Sequence, residues 1–350
     1  MLNVLAVRPL EGDAHIADIP KRPLREITGA YSEPDAGRSV AEFLVTFLPF
    51  LALAGALFYG LGHGVWAAFA LAPVAGALLV RLFTIQHDCG HGSFFKQRWA
   101  NDALGRVIGV LTFTPYAFWR RSHGIHHATS GNLDKRGVGD IDTITVDEYL
   151  SRPPLGRLIY RLYRHPLTIL IIGPLYQFLI QHRFPPGRFA EEKDMWRSVL
   201  GTNLAIAVAG TALALTFGWK ALVLGYFPVF LTAGCAGMWL FYIQHQFDGT
   251  YWRRDKDWDF REAAMAGSSF YDLPAALHWI TGHIGFHHIH HLSAKIPSYR
   301  LKACHKQNPE FHSAKRLTIR SSLGCLSLTL WDEAQRRLVS FRDVHGSHAQ

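Results

Sequence analysis

Long apolar segments alternate with polar, histidine-rich segments along this chain. Four of the apolar segments contain roughly 20 residues each, which is enough for a helix to cross the hydrocarbon core of a bilayer. They are Val40–Leu61, Val65–Ile85, Val199–Phe217 and Ala221–Ile243. Short turns at residues 62–64 and 218–220 join them in pairs. The pattern therefore predicts an all-α integral membrane protein with four transmembrane helices in two hairpins.

Two further apolar stretches, Ala103–Trp119 and Pro166–Ile180, are too short or too interrupted by Pro and Gly to span a bilayer. We predict that both are interfacial helices lying along the membrane. The polar link Ser130–Arg164 is expected to be a loop, and no span is expected after about His305. A single domain of residues 1–350 is predicted, with residues 86–198 and 244–350 forming a helical cap outside the bilayer.

The charge distribution indicates which side of the membrane the cap occupies. The formal net charge is +9, and the basic residues lie beside the apolar segments, at residues 21–25, 119–122, 253–256 and 294–300. Because cytoplasmic loops are enriched in Lys and Arg, we expect the cap and both termini to be cytoplasmic and expect no nucleic-acid partner. Residues 1–20 lack the features of a signal peptide. Arg81, near the end of the second span, is expected to reach the headgroups.

Histidine is abundant, with 20 copies, and much of it falls in three clusters at the membrane-facing ends of the apolar segments. Residues three and four apart share one face of a helix, so each cluster can direct two or three imidazoles to one point. By the same spacing His278 and His288 point away and are not expected to be ligands. His245 ends the fourth span on the same side. The candidate metal ligands are therefore His87, His91, His123, His126, His127, His245, His287, His290 and His291.

Nine imidazoles are too many for one ion and suit two, each with about five protein ligands. Neutral imidazole binds mid-series transition metals, so iron, manganese, copper and zinc are all open at this point. Zinc is disfavoured, because structural zinc sites close with four ligands that usually include Cys. The four cysteines form no C-x-x-C pair, which indicates a reducing compartment.

The three clusters, "HDCGH", "WRRSHGIHH" and "HHIHH", resemble the histidine boxes of membrane fatty-acid desaturases. The flanking segments, over about Leu24–Phe341, resemble the bacterial ω-6 (Δ12-type) acyl-lipid branch. The resemblance implies a non-haem diiron centre, held by these nine histidines on the cytoplasmic side of a bacterial inner membrane. Close relatives usually have Asn in place of His283, which makes His283 a tenth candidate ligand.

The resemblance also implies a reaction. An acyl-lipid in the membrane would receive a cis double bond, with O2 as co-substrate and two external electrons. No dinucleotide-binding G-x-G-x-x-G follows a strand and no haem domain is fused, so we expect a ferredoxin or small cytochrome as donor. Asp88 and Asp134 are predicted to orient ligand imidazoles. An apolar tunnel between the spans is expected to hold the acyl chain.

Two other functions stay open from the sequence. A diiron hydroxylase of acyl chains, alkanes or carotenoids would use the same ligands with a different outcome. A membrane metal transporter would place its ligands in the middle of broken spans, whereas these histidines lie at span ends.

Overall fold

The structure, a computed structural model, describes residues 23–347, most of which are helical. The absence of a signal peptide in residues 1–20 is a prediction that lies outside these residues. The α-helices are α1 Leu24–Thr28, α2 Ala36–Gly62, α3 Ala72–His91, α4 Arg98–Leu111, α5 Tyr116–Thr129, α6 Val146–Ser151, α7 Pro154–Tyr163, α8 Gly173–Leu179, α9 Lys193–Phe217, α10 Trp219–His245, α11 Phe260–Ala266, α12 Ala275–Ile280, α13 His287–Leu292, α14 Ser298–Gln307, α15 Ile319–Ser322 and α16 Phe341–Ser347. The strands are β1 Phe270–Tyr271, β2 Arg316–Leu317, β3 Leu330–Asp332 and β4 Arg337–Val339.

The prediction of four spans in two hairpins is confirmed. Within residues 23–347, four helical segments are long and apolar enough to cross a membrane: α2, α3 with the 3₁₀ turn before it (Trp66–His91), α9 and α10. Each extends beyond at least one of its predicted limits. In particular, α3 and α10 continue to His91 and His245, so three of the candidate histidines, His87, His91 and His245, lie in the last turns of spans.

The spans pack around α3, which is the most buried of the four, whereas α9 exposes nearly all of its apolar surface. The contact of α3 with α10 depends on Gly76, where an added Cβ would lie 2.6 Å from the Thr232 Cβ and 2.8 Å from the Val229 carbonyl oxygen. Small residues allow this kind of close backbone approach between membrane helices. The core of the bundle thus positions the two spans that carry candidate histidine ligands against each other.

Arg81 does not reach the headgroups as expected. Its side chain is buried between elements, where it is paired with the Glu42 carboxylate, donates to the Trp279 carbonyl oxygen and lies over the Trp279 ring. Its Nε also donates to Thr46 Oγ1 at 2.9 Å. A carboxylate one helix away offers the guanidinium a partner inside the bundle, so Arg81 turns inward.

The stretch expected to be one interfacial helix at Ala103–Trp119 is two helices. α4 ends at Leu111 and α5 begins at Tyr116, and the turn between them contains Phe113 at φ 54°. Pro115 immediately precedes α5 in an extended conformation, which favours a new helix start. The break lets α5 leave the direction of α4 and carry the second histidine cluster.

The link Ser130–Arg164 is only partly a loop, because it contains α6 and α7. A capping box between Thr145 and Glu148 starts α6. α7 is amphipathic and exposes Leu155, Leu158, Ile159 and Leu162. The following interfacial stretch, predicted at Pro166–Ile180, is a π-helical turn, Thr168–Ile172, that leads into α8.

The remaining cap is built from short elements against the end of α10. A buried apolar cluster joins Phe247, just after α10, to Ala264 of α11 and Ile289 of α13. β1 pairs in parallel with β2, and β3 forms an antiparallel hairpin with β4. These strands were not predicted, because two or three residues are too few to give a period. The cap fixes α13 beside the ends of α3 and α10.

Candidate metal centre

Four helices bring the clustered histidines to one place. His87 and His91 lie in the last turns of α3, and His245 is the final residue of α10. α5 contributes its three histidines and α13 contributes His287, His290 and His291. α3 ends there because Gly92 adopts a left-handed conformation, with φ 62°, which closes the helix after His91.

The nine imidazoles form two compact groups. Within each group, one nitrogen per ring lies within 4.8 Å of all the others. The first group contains His87, His91, His123, His127 and His290. The second group contains His126, His245, His287 and His291. Five and four donors are close to the number expected for each of two ions.

α5 and α13 each divide their histidines between the two groups. On α5, the i,i+4 pair His123 and His127 serves the first group, and His126 serves the second. On α13 the division is reversed, because His287 and His291 serve the second group and His290 serves the first. Each of these two helices therefore lies between the groups and contributes to both.

The spacing of the ring nitrogens fits bound cations. His127 Nε2 lies 3.1 Å from His123 Nε2 and 3.0 Å from His290 Nε2, and His245 and His287 Nε2 atoms are 3.1 Å apart. Two nitrogens bound at right angles, each about 2.1 Å from one ion, would be about 3.0 Å apart. A hydrogen bond between neutral rings can satisfy one such contact, but His127 Nε2 makes two. The groups therefore suit metal ions better than a hydrogen-bonded network.

Several ring nitrogens in the groups are also buried without a hydrogen-bond partner. They are His87 Nδ1, His91 Nε2, His126 Nε2, His287 Nδ1 and His291 Nε2. Buried polar atoms are normally hydrogen-bonded, so each of these needs a partner of another kind. A cation in each group would supply it.

The electrostatic environment keeps the imidazoles of the cap neutral. Burial lowers the pKa of His287, His290 and His291 well below the ordinary value of 6.5, and neighbouring imidazoles lower it further. Neutral imidazole is the form that binds a metal ion. The groups differ in access to solvent: all four residues of the second are buried, whereas His91, His123 and His127 of the first are partly exposed.

Partners outside the groups hold some of the rings. His126 Nδ1 lies 2.5 Å from Asp140 Oδ1, and His245 Nδ1 donates to the Gly267 carbonyl oxygen at 3.0 Å. Asp140 was not predicted, because it follows α5 by a glycine-containing turn and shares no helical spacing with His126. In the sequence, only the acidic residues of "GDID" at 139–142 indicated a carboxylate in this region.

The two predicted orienting carboxylates differ in position. Asp88 Oδ1 lies 3.6 Å from His87 Nδ1, and its other oxygen accepts the Ser298 N–H at 2.8 Å, so its role stays a prediction. Asp134 faces the surface, where it accepts from Arg254 Nη1 at 2.8 Å and from the Asp255 backbone. The chain turns away after α5, so Asp140 takes the place expected for Asp134.

The tenth candidate ligand, His283, lies outside both groups. It has φ 60° and stacks on His278 with ring centroids 5.8 Å apart. It lines a small recess with Glu42, Arg81 and Tyr299. His278 and His288, which were not expected to be ligands, also lie outside the groups.

Three aromatic rings, those of Trp119, Phe83 and Phe178, extend from the first group into the bundle, and we call them the aromatic wall. The Trp119 ring stacks on His123 at 4.6 Å with 15° between the planes. Phe83 of α3 contacts Trp119, and Phe178 of α8 contacts Phe83. This wall leads from the first group to the apolar interior of the bundle.

Several known proteins are similar to this chain in sequence. The sequence model of the family described as "Fatty acid desaturase" matches residues 64–322. A "Fatty acid desaturase" of Bacillus subtilis (strain 168) is 44% identical over 324 residues, which cover 93% of this chain and 92% of the relative. An "sn-1 oleoyl-lipid 12-desaturase" of Synechocystis is 27% identical over 85% of this chain and 84% of the relative. An "sn-1 acyl-lipid omega-3 desaturase (ferredoxin)" of Nostoc is 31% identical over 65% of this chain and 63% of the relative.

Proposed function

Because this chain belongs to the fatty acid desaturase family, we propose that it inserts a cis double bond into lipid-bound acyl chains at a pair of iron ions. The observation that carries the proposal is the convergence of nine imidazoles into two groups, with Nε2 atoms 3.0 to 3.1 Å apart. A 12-desaturase among the relatives, similar over 85% of this chain, favours Δ12 (ω-6) chemistry.

The iron pair would be held by the five histidines of the first group and the four of the second. When bound, it would supply the reduction of O2 by two external electrons and two protons, so that two hydrogens leave adjacent methylenes and two waters form. Side-chain acids and bases cannot remove hydrogen from an unactivated methylene. This is why a desaturase needs the cluster and no further catalytic side chain.

The chain itself would position the substrate and exclude water. The second group is completely buried, which keeps bulk water from that side of the reacting pair. The aromatic wall of Phe83, Trp119 and Phe178 runs from the first group into the bundle. We assign this wall to the path of the acyl chain, because it is an apolar surface that reaches the imidazoles from within the spans.

The substrate and the donor follow from the relatives and from charge. Relatives whose names specify lipid-bound acyl chains, and in two cases ferredoxin, support a lipid substrate and a ferredoxin donor. Arg121 and Lys295 are exposed on the histidine side of the fold, and Lys295 Nζ donates to the His91 carbonyl oxygen at 2.7 Å. A basic surface beside the first group favours an acidic donor.

The direct test is expression in a bacterial host that lacks polyunsaturated lipids, followed by chromatography of its fatty acids. We expect new dienes with the second double bond at Δ12. Hydroxy-acids in place of dienes would overturn desaturation in favour of hydroxylation.

The ligand assignment is tested in the same host. His126→Ala and His290→Ala, one from each group, should each abolish the product and lower the iron content of the purified protein. His63→Ala is the matched control, because His63 is exposed in the turn between α2 and α3, and it should keep full activity. Retained activity in either ligand variant would refute the assignment.

A further inference from the structure

Only one of the nine clustered imidazoles is hydrogen-bonded to a carboxylate within residues 23–347. His126 Nδ1 lies 2.5 Å from Asp140 Oδ1, and the two side chains are 1% and 8% exposed. The nearest comparable contact, from His87 to Asp88, is 3.6 Å and too long for a hydrogen bond. The buried carboxylate therefore acts on the second group alone.

The two groups are also held unequally. In the second group, His126 is fixed by Asp140, and His245 by the Gly267 carbonyl oxygen. Within the described chain, the imidazoles of the first group make hydrogen-bonding contacts only with one another. Two rings of the second group are thus fixed by hydrogen bonds to atoms outside it, whereas the hydrogen-bonding contacts of the first group are mutual.

A carboxylate at Nδ1 has two effects on a metal-binding imidazole. It keeps the ring proton on Nδ1, so that the Nε2 lone pair faces the ion, and it makes the ring a stronger donor. Loss of such a partner typically weakens metal binding 10- to 100-fold. Asp140 can act in this way, because His126 Nε2 is buried without a partner and belongs to the second group.

We propose that Asp140 is a positioning residue that sets the affinity and electronic character of one ion of the pair, the ion in the second group. The two ions are then inequivalent because one of their ligands carries a charged partner. This inference rests on the proposed diiron function.

The test is anaerobic titration of the purified, full-length apo-protein with Fe(II). Wild type should bind two irons per chain. In Asp140→Asn, one binding step should weaken about 10- to 100-fold while the other is unchanged. His291→Ala removes a ligand of the second group only, so it shows which of the two binding steps belongs to that group. This is the step that Asp140→Asn should weaken. Mössbauer spectra of the ⁵⁷Fe-loaded protein should show one of two iron signals altered.

Asp134→Asn is the matched control, because it removes a carboxylate from the same segment that pairs with Arg254 and touches no imidazole. It should leave both steps and both signals unchanged. The inference is overturned if Asp140→Asn titrates as wild type, if Asp134→Asn shows the same loss, or if both steps weaken equally, as a folding defect would cause.

Failure of the proposed function has a different result. If wild-type protein bound no pair of irons, the diiron proposal would fall, whatever the behaviour of Asp140→Asn. Two irons in wild type with no selective effect of the substitution would overturn only the role of Asp140.

Discussion

At the scale of single residues, spacing on a helix predicted which histidines converge but not how they divide. The i,i+4 and i,i+3 relations placed each cluster on one face, and the nine expected imidazoles do come together. The division into five and four depends on the angle between α5 and α13, which no single-helix pattern contains. Asp140 was missed for the same reason, since it meets His126 only because the chain folds back after α5.

The position of His283 leads to a first prediction. Its φ of 60° is a conformation that Asn adopts more readily than most residues, and its ring lies outside both groups. His283→Asn should therefore keep the iron content and the desaturation rate of wild type within about twofold, without loss of thermal stability. Iron analysis and diene yield are the measurements. A loss of one iron per chain would make His283 a ligand after all.

Buried histidines away from the metal groups give the apo-protein a predictable pH dependence. Burial, helped by Arg183, lowers the pKa of His182 from 6.5 to about 3, and burial with His312 lowers that of His305 to about 4. Between pH 6.5 and about 4 the unfolded chain binds protons that the folded chain does not. Stability should therefore fall as the pH falls through this window.

Thermal melting of the detergent-solubilised apo-protein between pH 7.5 and 4.5 measures this effect. The melting temperature should decrease below about pH 6.5. His182→Gln, which cannot titrate, should show a shallower decrease. Parallel curves for the two proteins would mean that His182 does not contribute.

At the scale of elements, the long periodic segments were predictable and the short ones were not. The four spans follow from long apolar runs with few charged residues, and α3 and α10 end later than predicted because these helices continue through candidate ligand residues. The division of residues 103–119 was hidden, because the apolar pattern continues across the turn at Phe113. α7 was also missed, although Leu155, Leu158, Ile159 and Leu162 have helical spacing, because the Pro and Gly residues at its start are typical of a loop.

The pairing of α2 with α3 through Glu42 and Arg81 gives a prediction at this scale. Arg81→Met would leave the partly buried Glu42 carboxylate with Arg38 as its remaining partner and should lower the free energy of unfolding by about 2 kcal/mol, because a hydrogen bond to a charged group contributes about 1.5–3 kcal/mol. The double variant Glu42→Gln/Arg81→Met should recover much of that loss. Denaturation in mixed micelles measures both. A double variant no more stable than Arg81→Met would show that the Glu42–Arg81 ion pair does not account for the lost free energy of unfolding.

At the scale of the whole molecule, two hairpins support one histidine-rich cap. The side of the membrane on which this cap lies follows from the distribution of charge. We expect the cap to face the cytoplasm because basic residues lie on its side. The turns at His63 and Gly218, at the opposite ends of the spans, should then face outward. The architecture was predictable at this scale because the bilayer restricts the lengths of its elements.

Cysteine labelling in intact cells tests the orientation. His63→Cys should react with a membrane-impermeant maleimide, whereas Lys256→Cys, exposed in the cap, should react only after permeabilisation. Cys235, the only partly exposed native cysteine within residues 23–347, is replaced by Ser in both variants. The reverse labelling pattern would place the cap outside.

The division of ligands among distant parts of the chain has a consequence for biogenesis. The first group needs His290, and the second needs His287 and His291, so neither is complete until α13 has been synthesised. A ribosome that stalled after α10 would release a polypeptide with two inserted hairpins but without a complete first or second group. Binding of the proposed iron pair would therefore be a late step in maturation, and truncated products should not acquire an oxidising centre.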